Sequence, residues 1–381
     1  MIPRTLFSPE HEMFRETARR FVEREIVPHY YQWEQDARVP REVWLKAGTT
    51  GLLLCDVPEE YGGMGGDFRH SVIVMEELGR AGATGVFFSL HSDIVAPYIL
   101  KYGSEQLKRA WLNRMATGEA IGAIAMTEPS AGSDLQAIRT TAVREGDDYV
   151  ISGQKVFISN GQTADLVIVA CKTDPKQGAK GMSLIVVETD RPGFRRGRQL
   201  KKIGMHSQDT SELFFDEVRV PVSNILASEG QGFALLMNEL AQERLTQAVK
   251  AVSACEAALA WTIDYVTQRH AFGKPIAAFQ NTQFKIAEMR AKIVAQRVLV
   301  DRCIELHLER KFDSVDAAMA KMTTTELQCE VVDECLQLHG GYGYMTEFPI
   351  ARAYADARYT KIAGGSIEVM KTIIARSLFA R

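Results

Sequence analysis

The spacing of apolar residues predicts an α+β chain, mostly α, in three parts. These are an N-terminal α-helical domain (1–120), a middle β-barrel domain (121–228) and a C-terminal four-helix bundle (229–381). Three observations support this division. Apolar residues recur at helical spacing through the first 118 residues, an alternation of period two replaces it from about 121 to 226, and the helical period returns from Gln231 onward. With 381 residues, 46% of them apolar, the chain is long enough for more than one core. The formal net charge is -3 and no Lys/Arg block stands out, which points away from nucleic acid and from anionic membrane surfaces.

In chain order, Ser8 followed by Pro9 is a helix start. Phe14, Ala18, Phe21, Val22 and Ile26 keep one apolar face, and Pro28 is expected to end it. Similar patterns over Asp67 to Arg80 and Ser104 to Thr117 predict two more helices. Tyr61 to Gly66 holds four glycines in six residues, but no GK[ST] follows, so it reads as a loop rather than a phosphate cradle. The stretch IGAIAMTEPSAGSD at 121–134 looks like a buried strand that hands Thr127, Glu128, Ser130, Ser133 and Asp134 to a turn around Pro129 and Gly132. The runs YVISGQKVFIS, DLVIVACKT, GMSLIVVE and SELFFDEVRV, separated by REGDD and TDPKQGAKG, suggest a small β-barrel or sandwich. From Gln231 a helix of about 39 residues, roughly 58 Å long, extends to Arg269. Helices near 280–310, 314–339 and 366–380 supply its bundle partners. The six cysteines are scattered without a Cys-x-x-Cys pair, which fits a reducing compartment and not a zinc site. His11 and Glu12 open a zincin-like start, but Arg15 stands where the second histidine belongs, so no metal is expected. With no signal peptide and no span of 18 apolar residues, a soluble cytoplasmic protein is expected.

MTEPSAGSD (126–134), FISNG (157–161), QRHAFGKP (268–275) and QLHGGYGYMTEFPIARAYADAR (337–358) together resemble, in order, the signatures of the acyl-CoA dehydrogenase family. The likeness covers nearly the whole chain and is greatest to the long-chain members. It implies non-covalent FAD and an acyl-CoA substrate oxidised to the trans-2-enoyl-CoA, in fatty-acid or branched-acid degradation. An electron-transferring flavoprotein would accept the electrons. Carried over residue by residue, the resemblance sets Ile124, Ala125, Met126 and Thr127 against the isoalloxazine ring, with Phe157, Ile158 and Ser159 beside it. Ser133 matches a position shared by flavin and thioester. Arg269 matches the pyrophosphate donor, a role suited to a planar bidentate group. Phe272 and Gln280 match further cofactor contacts. Gln337, Gly340 and Gly341 match a turn that admits the adenosine portion, although a plain glycine helix stop would also explain the glycines. Ser366 and Glu368 match the last cofactor contacts, while Arg244, Gly364 and Gly365 match the substrate side. In the family the C-terminal groups cross a subunit interface, so a homotetramer is implied. His91, in SLHSDIVAPYIL, either lines the acyl region or is packed, and His339 has no family role. Two rivals stay open: an oxidase or flavin monooxygenase of the same fold, and an inactive flavin-bearing acyl-CoA-binding protein.

Most family members carry a glutamate base where this chain has Gly364. On the long helix Phe233, Leu236, Leu240, Glu243, Gln247 and Ala251 recur at steps of three and four, which places Glu243 on an apolar stripe. A carboxylate there either forms a structural ion pair, most simply with Arg244, or is used in chemistry. The long-chain and isovaleryl members place their base at the position matching Glu243, so the resemblance implies Glu243 as the catalytic base.

Overall fold

A computed structural model describes residues 2–379. The helical first third comprises α1 (Pro9–Phe21), α2 (Val27–Asp36), α3 (Arg41–Thr49), α4 (Phe68–Arg80), α5 (Ala96–Tyr102) and α6 (Glu105–Ala116). Asp67 caps α4 by accepting the Arg69 N–H at 2.8 Å, and Ser104 caps α6 by accepting the Leu107 N–H at 3.3 Å. The expected stop at Pro28 does not occur. A π-turn over Val22–Ile26 joins α1 to α2, with the Val27 N–H donating to the Val22 carbonyl five residues back. The wider turn makes room for a ring that would otherwise strike the carbonyl four residues earlier. A second π-turn, Leu90–Val95, does the same ahead of Pro97, with Ala96 N–H donating to the His91 carbonyl. His91 is packed, its ring held between the Met115 carbonyl at 3.0 Å and the Gly122 N–H at 3.1 Å.

The middle third is one curled seven-stranded sheet: β1 (Gly122–Ala125), β2 (Thr141–Glu145), β3 (Asp148–Ser159), β4 (Leu166–Lys172), β5 (Met182–Glu188), β6 (Phe194–Gln199) and β7 (Thr210–Pro221). The strands run in the order β1-β4-β2-β3-β7-β6, with β5 also pairing with β4. Every residue of β4 is buried, and its alternation serves two cores. Leu166, Ile168 and Ala170 pack against the N-terminal helices, whereas Val167, Val169 and Cys171 point into the sheet's own core. This shared strand locks the helical region to the sheet and fixes β1 beside it.

The last third holds α7 (Gly232–Gln268), a short hairpin (His270–Ala271 with Lys274–Pro275), α8 (Gln280–Leu308), α9 (Ser314–His339), α10 (Pro349–Thr360) and α11 (Ile367–Phe379). Helices α7, α8, α9 and α11 are the anticipated bundle. The periodicity did not reveal α10, and residue 380 of the last expected helix lies outside the described residues. Helix α7 is buried on all sides from Gln242 to Val249, because α4, α5, α9 and α10 all pack on it. Its approach to α4 requires Gly79, where a Cβ would fall 2.7 Å from that of Ser253.

Candidate active site

Glu243 sits on the surrounded part of α7, 7% exposed. Its Oε1 accepts a 3.0 Å hydrogen bond from the Tyr98 hydroxyl. Tyr98 follows Pro97 on α5, so the π-turn just before it sets the phase that turns its ring toward α7. Burial pushes the Glu243 carboxyl up to about 7, Tyr98 holds it down, Glu239 one turn away raises it, and Arg244 pulls it down. Glu239 is itself engaged by Lys101 and by the Tyr102 hydroxyl, both at 2.7 Å. The alternative of a structural ion pair with Arg244 is not realised. Arg244 Nε is buried with no hydrogen-bond partner, and no ion pair links the two side chains among the described residues.

Facing this stretch of α7 is the loop from α10 to α11. Gly364 (φ 68°) and Gly365 (φ 94°) both take the left-handed backbone that favours glycine. A Cβ on Gly364 would meet only Gln247 Cγ, at 3.8 Å, and one on Gly365 would lie 3.9 Å from Arg244 Nη2. The Tyr359 hydroxyl donates to Gln247 Oε1 at 3.2 Å, tying α10 to the same helix face. Arg244 and Gln247 of α7 thus border the Gly364–Gly365 loop, Glu243 lies beside them on the same helix, and the Cβ position of Gly364 is open.

The positions matched to the flavin ring cluster on the sheet. Ile124 and Ala125 are buried at the end of β1, and Met126 and Thr127 are half-buried just beyond it. The turn that follows is held by Lys155, whose buried ammonium donates to the Met126 carbonyl at 3.0 Å and to Glu128 Oε1 at 2.8 Å. Glu128 also accepts the N–H groups of Arg139 and Thr140, at 2.6 and 3.0 Å. Ser133 is exposed on this turn. Phe157 is 65% exposed with φ 61°, at a break in the β3–β7 register between Lys155 and Ile158. That bulge expels the ring from the sheet core, so Phe157 is not a core residue. Ile158 is buried and Ser159 half-buried.

A third group lies at the far end of the bundle. Arg269 closes α7, exposed, its guanidinium 5.8 Å from the Tyr342 ring. Phe272 tips the hairpin at φ 52° and is 96% exposed. Gln280 opens α8, while Gln337, Gly340 and Gly341 close α9, all four exposed. Gly340 (φ 57°) is a helix stop, as the plainer reading of that turn had it. His339 is buried, stacked on Tyr265 and bonded to the Cys335 carbonyl at 2.8 Å, a structural placement. Ser366 Oγ accepts the Val369 N–H at 3.5 Å at the start of α11, and Glu368 is exposed. Arg269 lies 26 positions beyond Glu243 on one continuous helix, roughly 39 Å away.

Among the described residues one cluster joins histidines to a carboxylate: His11, Asp67 and His70. Within it His11 Nε2 is buried with no hydrogen-bond partner, 3.6 Å from Asp67 Oδ1. The two imidazole Nδ1 atoms accept the N–H groups of Ser8 and Asp67, and the Asp67 carboxylate holds the Arg69 guanidinium.

Helices, sheet and bundle follow one another along the chain, and a carboxylate is buried on the bundle helix that borders the glycine loop. Three family models match in register: the N-terminal domain of acyl-CoA dehydrogenase over residues 8–119, the middle domain over 123–218 and the C-terminal domain over 230–379. The chain belongs to the acyl-CoA dehydrogenase family, whose members are FAD-dependent. It is 50% identical over 377 residues to the long-chain specific acyl-CoA dehydrogenase, mitochondrial, of Mus musculus, covering 98% of this chain and 88% of that one. The crystal structure of acyl-CoA dehydrogenase from Geobacillus kaustophilus superposes with a TM-score of 0.97 at 51% identity, covering 99% of this chain and 100% of the other. A glutaryl-CoA dehydrogenase of Mycobacterium smegmatis in complex with FADH2 superposes at 0.93 with 28% identity, over 99% and 96% of the two chains.

Sequence reasoning missed Tyr98 and Lys155. Tyr98 carried no signal, because its role depends on a π-turn that periodicity treats as continuous helix. Lys155 shows as the one cation in an otherwise apolar and neutral strand, QKVFIS, a signal that could have been read.

Proposed function

We propose that the protein catalyses FAD-dependent α,β-dehydrogenation of acyl-CoA thioesters to trans-2-enoyl-CoA in fatty-acid or branched-acid degradation, with Glu243 as the base. The observation that carries this is a buried carboxylate without an ion pair among the described residues, on the helix that borders a loop of two glycines. Burial keeps Glu243 poised near neutrality, where proton transfer from Cα is most effective. Tyr98 fixes its orientation, and Arg244 and the Gly364–Gly365 loop border the acyl site. The N–H of residue 364 can donate to the thioester oxygen, a backbone group that survives the loss of the usual side chain. Bound FAD supplies the acceptor for the hydride that leaves Cβ.

The residues present fit that cofactor. The end of β1 from Ile124 to Thr127, Ser133 and the expelled Phe157 with Ile158 and Ser159 would border the flavin ring, an aromatic face being left uncovered for it. The exposed Arg269, Phe272, Gln280, Gln337, Gly340 and Gly341, with Ser366 and Glu368, would hold the rest, those at the far end of the bundle serving a neighbouring subunit. The exposure of these residues on the single chain supports this sharing, and a homotetramer built as a pair of dimers would provide it. Electrons would pass to an electron-transferring flavoprotein, as in the family. The bounds 1–120, 121–228 and 229–381 remain our division into domains. No helix among the described residues is long and apolar enough to cross a membrane. All six cysteines are free, which supports a reducing, cytoplasmic setting. The acyl chain is read as medium to long, straight or branched, on the space beside Gly364. An anaerobic bleaching screen over straight and branched acyl-CoAs tests this. Bleaching by long chains is expected, and a flavin left oxidised by every acyl-CoA would refute it.

A further inference from the structure

Lys321 lies on α9 with its side chain fully enclosed, 0% exposed. Its ammonium makes one hydrogen bond, to the Gly365 carbonyl at 2.6 Å, and among the described residues no carboxylate lies within ion-pair distance. An ammonium removed from water without a counter-ion is costly, and a helix that needed only packing would carry leucine or methionine here. What it buys is control of a loop that cannot control itself. Gly364 and Gly365 have no side chains and both sit at positive φ. The flanking turns are pinned by backbone bonds from Ile362 and Ala363 to the Tyr359 carbonyl and from Ile367 to the Lys361 carbonyl. The Gly365 carbonyl, at the flexible centre, is held by Lys321.

We propose that Lys321 is a positioning residue for the dehydrogenation: by holding the Gly365 carbonyl it fixes the Gly364–Gly365 loop so that the residue 364 N–H meets the thioester oxygen. This rests on the reading given under Proposed function. Lys321 touches neither the substrate nor the reacting atoms, and it acts through the loop. The charged groups facing it are Arg244 from α7 and Glu368 from α11. Burial and the like charge of Arg244 lower its pKa to about 8, and Glu368 opposes them. The titration offers a handle on the same contact. As pH rises through that value the amine loses its charge, the bond to the carbonyl weakens, and flavin reduction should decline along an alkaline limb that arginine, which stays protonated, would remove.

The test uses the holoenzyme as wild type, Lys321→Met and Lys321→Arg, each checked for FAD content and thermal stability. Amide exchange over residues 360–367, measured without substrate, reads the loop directly. Reduction by saturating acyl-CoA across pH, with the infrared stretch of a 13C-labelled thioester carbonyl, reads its consequence. Lys321→Met is expected to keep FAD, exchange faster in that segment and be reduced at least tenfold more slowly, with a carbonyl stretch moved toward that of free thioester. Lys321→Arg should restore most of the rate and lose the alkaline limb. Wild-type exchange and reduction in Lys321→Met would overturn the proposal, as would an unchanged alkaline limb in Lys321→Arg. If Lys321→Met fails to fold, amide exchange over residues 360–367 in Lys321→Gln decides in its place, and wild-type exchange there would overturn the proposal. If no acyl-CoA reduces the wild type, the proposed activity fails, whereas the exchange comparison still reports whether Lys321 holds the loop.

Discussion

Removing the Tyr98 hydroxyl by Tyr98→Phe takes away the one hydrogen bond made to the Glu243 carboxylate among the described residues and leaves the ring to pack as before. A hydrogen bond to a charged group contributes about 1.5–3 kcal/mol. At 1.36 kcal/mol per pKa unit, its loss should move the Glu243 carboxyl roughly 1–2 units higher. The wild-type carboxyl, at about 7, is half ionised at neutral pH. The variant would be ionised to only about 1–10% there, so flavin reduction at pH 7 should fall by roughly 5–50-fold and recover as pH rises. Stopped-flow reduction at saturating acyl-CoA from pH 6 to 10 measures the acid limb directly. A limb that stays in place, or moves to lower pH, would refute the assignment of Tyr98 as the donor that lowers the base's pKa.

Three further outcomes are expected. Burial raises the folded Glu243 carboxyl from 4.5 to about 7, so the folded state favours the protonated form, and wild type loses stability as pH climbs between those values. Glu243→Gln should therefore be more stable than wild type at pH 8, by up to about 3 kcal/mol, with the gain fading toward pH 4; an equal gain at both would contradict this. Arg269→Ala should lower the FAD retained per chain through gel filtration, and retention equal to wild type would remove the arginine from the pyrophosphate site. Gly364→Glu in the Glu243→Gln background finds open space for its Cβ but a backbone at φ 68°, a strain of about 1–2 kcal/mol. Partial recovery of flavin reduction is expected, and none at all, with fold and FAD intact, would count against Gly364 bordering the substrate.

The reach and the limits of the sequence follow from the range over which each signal acts. Periodicity is local, so the change at Gly122, the length of α7 and its bundle partners were legible. Burial of Glu243 was legible as well, from its place among Leu236, Leu240 and Ala251. What sits opposite it was not, since Tyr98 is 145 positions away and reaches it only through the second π-turn. Pro28 misled for a related reason: a proline breaks an α-turn, but one extra residue in the turn before it absorbs the ring. Phe157 in the run KVFIS reads as core by alternation, and only the bulge against β7 turns it outward. The short helix α10 lies inside the motif QLHGGYGYMTEFPIARAYADAR, where glycines and aromatic residues obscure its apolar face.

The account turns on Glu243 as the group that removes the Cα proton. Glu243→Gln keeps the size and shape of the side chain and its contact with Tyr98, so the variant should fold, carry FAD and bind acyl-CoA. Mixed anaerobically with a substrate that bleaches the wild type, it should show flavin reduction slowed by several orders of magnitude at every pH. Near-normal reduction in that variant, with fold and FAD content intact, would contradict the account.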